Sequence, residues 1–238
     1  MPFYHQLGEL PQKRHTQFRK PDGGLYREEV MGLEGFDGIQ SILYHHNLPP
    51  RVKEAEELGS AGEEYAEYGP LRHRAFTTVE LPSGGDAVAA RRTLMGNSDV
   101  TLGVSRPSES MKYFYRNAQA YEIWYAHEGS GVLRTQFGKL PFHEGDYLVI
   151  PYGTTWAMEL DSEARFLVIE SASQIEPPKR YRNKHGQLTE FAPYTERDIR
   201  LPQELETFSD KGEHEVRVKV RDVIDRKSTR LNSSHSSV

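Results

Sequence analysis

A mononuclear, oxygen-activating iron centre asks for two imidazoles and one carboxylate with open coordination positions, and the 238-residue chain offers ten histidines and 35 carboxylates to build one. There is no cysteine, which excludes disulfides, thiolate metal sites and a cysteine nucleophile. The histidines are poorly disposed for chelation. His45 and His46 are adjacent, and neighbours on an extended chain point to opposite sides; they read as packed against the body of the protein or a neighbouring subunit. His127 falls five residues after Glu122, so strand alternation puts the two on opposite faces. His143 precedes the turn at Gly145 and reads as surface loop, His185 and His214 as polar loop residues, and His15 as a polar packing residue. His235 lies in the terminal tail. No phosphate-binding glycine loop, dinucleotide fingerprint or serine elbow is present. Nothing sets a separation between two carboxylates, so a glycosidase has no basis. No catalytic, cofactor-binding or metal-ligating residue is therefore assigned in this chain.

One glycine and proline frame does stand out. Glu122 is followed after six residues by Gly129, and Gly145 after five by Pro151-Tyr152-Gly153, with fifteen residues between Gly129 and Gly145. This spacing resembles the paired motifs of cupins, which are small jelly-roll barrels. Gly129 and Gly131 permit a tight hairpin after the Glu122 strand, and Pro151 to Gly153 re-aims the chain between two strands. The metal-binding letters of the cupin pattern are mostly missing. Tyr115 and Asn117 stand at the first two histidine positions, Trp156 at the third and Leu160 at the final asparagine. Of the usual ligands only Glu122 remains. Trp156 has no lone pair to offer and should fill the barrel mouth. The barrel is expected to be metal-free and to serve as scaffold. A buried carboxylate needs a partner; Arg134 on the next strand or the Asn117 amide could supply it, unless Glu122 simply faces water.

The surrounding elements follow from periodicity. Short segments rich in β-branched and aromatic residues recur over 74–80, 87–94, 100–105, 112–115, 121–125, 132–137, 147–150, 155–160 and 165–170. Eight or nine such strands, punctuated by glycine and proline, predict an all-β, cupin-type antiparallel jelly-roll barrel over residues 71–172. Residues 1–70 carry too many glycines and prolines for regular structure and read as an irregular, aromatic-rich N-terminal arm. Phe3, Tyr4, Phe18, Tyr26, Phe36 and Tyr44 argue that it lies along another surface. Glu54, Glu56, Glu57, Glu63, Glu64 and Glu67 form a solvated face. Residues 173–224 read as a linker and the start of a further domain, with one strand over 215–220. Residues 225–235 look like translated sequencing-adapter DNA, so 225–238 are expected to be an artefact that cuts the natural protein off near Ile224.

Two strings carry a closer resemblance. Residues 9–36, with R-H-T-Q-F at 14–18, and Y-H-H at 44–46 are similar to the start of homogentisate 1,2-dioxygenases, and residues 121–160 resemble that family's N-terminal barrel. The resemblance spans roughly residues 1–224. It implies an Fe(II)- and O2-dependent enzyme that opens homogentisate to maleylacetoacetate in tyrosine and phenylalanine catabolism. In that family two histidines and a glutamate of the downstream half hold the iron, and the subunits form homo-oligomers. None of those ligands maps onto a residue here, so Fe(II) is expected in the full-length enzyme, no metal in this fragment, and no activity of the fragment alone. An apolar surface meant for the second barrel should be exposed.

Composition narrows the field further. The net charge of −5 and the absence of a lysine or arginine run exclude a nucleic-acid partner as the expectation. No apolar run is long enough to span a membrane. The N-terminus lacks the basic and apolar regions of a signal peptide, so a cytoplasmic location is expected. A stand-alone metal-free cupin that binds a small molecule or a partner is the alternative to an oxygenase portion. A metal-free isomerase or epimerase would need barrel-lining histidine with a nearby lysine, which the strands around Glu122 do not show.

Overall fold

The computed structural model describes residues 17–48, 52–62, 70, 72–203, 213–229 and 233–234. The chain opens with a hairpin of β1 (Arg27–Glu34) and β2 (Asp37–His45), followed by β3 (Val52–Ser60). The central body comprises β4 (Arg91–Gly96), β5 (Val100–Ser105), β6 (Phe114–Asn117), β7 (Tyr121–Glu128) and β8 (Gly131–Thr135). It continues through β9 (Gly138–Phe142), β10 (Tyr147–Ile150), β11 (Thr155–Leu160) and β12 (Arg165–Ser171). After two single 3-10 turns come β13 (His214–Val220), β14 (Val223–Thr229) and the two-residue β15 (Ser233–Ser234). Among the described residues no helix is long and apolar enough to cross a membrane.

The fold is the expected all-β jelly roll, its body built from two sheets, with a small third sheet of β1, β2 and β15 beside them; the pairings are antiparallel except that β13 runs parallel to β6. A five-stranded sheet runs β10-β7-β12-β5-β4, and a seven-stranded one β3-β14-β13-β6-β11-β8-β9. Strand alternation sends Trp124, Ala126, Leu148, Ile150, Phe166 and Val168 inward from the first sheet, where all are buried. They meet Tyr115, Leu133, Phe142, Trp156 and Met158. Trp124 lies edge-on to Trp156 and to Phe166 at 5.5 and 5.6 Å between ring centroids. Such pairs add about 0.5–1.5 kcal/mol each beyond the area they bury.

The chain crosses from sheet to sheet where the glycine frame lies. Gly129 and Gly131 were expected to close a hairpin, but β7 and β8 are in different sheets and the turn carries the chain over the end of the barrel. Gly131 is needed for close approach, since a Cβ there would sit 2.1 Å from the Glu159 carbonyl oxygen of the paired strand β11. Pro151 to Gly153 makes the second crossing, from β10 to β11, with the Gly153 amide donating to the Asn117 carbonyl at 2.7 Å.

Several expected boundaries move. Residues 74–80 form no strand, 87–90 are turns before β4, and the segment 132–137 resolves into β8 with β9 following it. Pro141 sits in β9 without penalty because β9 is a sheet edge, where a missing N–H breaks no ladder. The expected irregular arm is corrected most. Gly35 (φ 67°) starts a two-residue turn between Glu34 and Asp37, so glycine closes a hairpin there instead of interrupting one. Residues 225–229 were expected to continue no structure, yet they extend β14 between β13 and β3, and Ser233–Ser234 pairs with β2. His15, His235, Phe3, Tyr4, Glu63, Glu64 and Glu67 lie outside the described residues.

Gly131→Ala should cost about 3 kcal/mol, because the new methyl meets backbone and not a side chain that could swing away. Urea unfolding of the variant beside the parent chain measures this. A loss under about 1 kcal/mol would show that β8 and β11 do not approach as described.

Candidate functional site

The carboxylate singled out in the sequence is fully buried at the inner face of β7. Across the ladder Glu122 lies opposite Glu170 of β12, and both carboxylates share the inner side of the sheet. Two like charges placed so are mutually destabilising unless a cation stands between them. Arg91, the first residue of β4, fills that role. Its Nη2 donates to Glu122 Oε1 at 2.9 Å and its Nη1 to Glu170 Oε2 at 3.0 Å. Lys219 of β13 donates from Nζ to Glu170 Oε1 at 2.8 Å. The Asn117 amide donates to Glu122 Oε1 at 3.1 Å and the Trp124 indole N–H to Glu122 Oε2 at 3.0 Å. The guanidinium also lies 4.9 Å over the Trp124 ring. Two cations and two carboxylates thus close a neutral network, drawn from strands of both sheets.

The network shifts the pKa values of Arg91, Glu170 and the adjoining Tyr115. Burial alone would lower the Arg91 pKa, but Glu122, Tyr115 and Glu170 beside it push it above the ordinary arginine value. Burial would raise Glu170, but Lys219 and Arg91 outweigh it and hold the carboxyl below the usual range. Tyr115 is driven well above the ordinary tyrosine value, first by burial and then by the Glu122 charge, so it stays a neutral phenol.

These residues do not fit an iron ion. Both Glu122 oxygens accept hydrogen bonds, Tyr115 is held neutral, and Asn117 is committed to Glu122. Trp156 occupies the third position as a core residue, fully buried, with its ring 5.4 Å from that of Tyr115. Among the described residues no group of three or more His, Cys, Asp or Glu is placed to hold a metal ion.

The remaining sequence candidates scatter. Arg134, expected to pair with Glu122, points outward and binds Glu159 at 2.8 Å, because strand alternation on β8 puts it on the outer face. The Asn117 partnership is present. His127 is exposed on the opposite face from Glu122, as alternation required, against Tyr125 at 4.7 Å. His45 is buried with Nε2 2.9 Å from Glu29 of β1, so its packing is within the hairpin, and His46 contacts the Tyr26 ring. His143 and His185 are exposed loop residues. His214 begins β13 against Phe114 and is not a loop residue. Arg91, Glu170 and Lys219 were missed. The alternation Phe166, Val168, Glu170 carried a signal for the second, since it continues an inward apolar row into a charge. Arg91 and Lys219 had none, being 31 and 49 residues from the carboxylates they pair with.

No family model matches the sequence. The chain is 44% identical over 223 residues to a protein of Saccharolobus solfataricus named "Putative dioxygenase", an alignment covering 92% of this chain and 56% of that protein. The chain therefore spans about half the length of this curated relative. Among solved structures it is similar to a cupin protein from Bacteroides fragilis (TM-score 0.36, 18% identity, covering 46% of this chain and 94% of that one). A further likeness is to KdgF from Halomonas sp. (TM-score 0.32, 16% identity, 35% and 78%).

Arg91→Met should destabilise the chain by about 3–5 kcal/mol, since it strands a buried Glu122, and Arg91→Met with Glu122→Met should recover much of that loss. A double variant no better than the single one would show that the pair is not coupled. For Glu170 the lowered folded pKa gives stability that is complete above the ordinary carboxylate value of 4.5 and is lost as pH falls through the folded value. Glu170→Gln should therefore be less stable than the parent at pH 7, with the gap narrowing as pH drops below about 4.5. Urea melts across pH read this directly.

Proposed function

We propose that this chain is the N-terminal portion of an Fe(II)- and O2-dependent ring-cleaving dioxygenase acting on homogentisate, and that its own barrel is the scaffold half of that enzyme. The observation that carries the reading is the 44% identity, sustained over 92% of the chain, to a protein with a dioxygenase name and a longer chain. The choice of homogentisate, with maleylacetoacetate as product, rests on the strings at residues 14–18 and 44–46.

The Arg91 network supports the scaffold role. A guanidinium neutralises Glu122 here, where a catalytic cupin would use a metal ion for the same electrostatic task. The consequence differs because a guanidinium saturates its partners with hydrogen bonds and offers no open position to oxygen or substrate. No step of an oxygenation can be written through these residues. The barrel interior is also occupied by Trp124, Trp156, Tyr115, Phe142 and Phe166, each at most 1% exposed, which argues against the alternative of a small-molecule site inside this barrel. The reading places the iron ligands, the substrate pocket and the subunit contacts of the active enzyme in a longer protein of which this chain is one part.

The purified chain supplied with ferrous iron and air should consume no O2 on addition of homogentisate, and should carry far less than one tightly bound iron per chain. A longer form extended by the relative's remaining length should consume O2 with homogentisate. Ring cleavage by the 238-residue chain would sink the scaffold assignment; an extended, iron-loaded form indifferent to homogentisate would sink the substrate.

A further inference from the structure

We draw no further inference here: the strongest candidate, the acidic cavity where β3, β13 and β14 meet, lined by Glu54, Glu56, Glu213, His214, Glu215 and Arg226, carries nothing, because Glu56, Glu213 and Glu215 are already paired with Arg226, Lys53 and Arg217 and nothing else among the described residues points to a ligand there.

Discussion

A guanidinium held between a buried and a partly buried carboxylate is the constraint on which this barrel's architecture turns. Glu122 and Glu170 are brought side by side by strand register, and neither could stay ionised inside a protein without compensation. Arg91 answers both, and Lys219 answers the second again. Arg91 comes from the edge strand β4, Glu122 and Glu170 from the centre of the same sheet, and Lys219 from β13 in the facing sheet. The network therefore ties residues beyond 213 to the barrel more firmly than their ladder contacts alone would. A second tie lies nearby, where the Arg217 guanidinium stacks 3.6 Å over the Tyr113 ring, whose hydroxyl in turn donates to Asp86.

The glycine and proline frame does not depend on the residues around Glu122. The glycines and Pro151 control where the chain changes sheets, and those crossings are needed whether or not an ion is bound. Imidazoles are needed only for the ion. Arg91 neutralises Glu122 from within the protein, and Tyr115 and Trp156 beside it join the aromatic core.

Short strands were legible in the sequence because β-branched and aromatic residues cluster in them between turn residues. The segments 100–105, 147–150 and 155–160 coincide with β5, β10 and β11. His127 was placed on the face away from Glu122 by strand alternation. Reading glycine only as an interruption hid β1 and β2, whose turn depends on Gly35. No strand was expected over 138–142, and β9 tolerates Pro141 because it is an edge, which is a property of the sheet.

What the sequence determined by itself is the all-β class, the glycine and proline frame, and the presence of Tyr115, Asn117 and Trp156 within that frame. Each is a matter of residue type and local spacing. Asn117 was legible as a partner of Glu122, but tertiary structure alone decided its cationic partner. Arg134 is nearer along the chain, but pleating turns it outward, whereas Arg91 is brought into reach by three strand pairings that no local pattern announces. Tertiary structure likewise decided that Val149, Ile123, Ile169, Leu102 and Met95 fall in one row across the five-stranded sheet. Each strand contributes one of those side chains, and register is what lines them up.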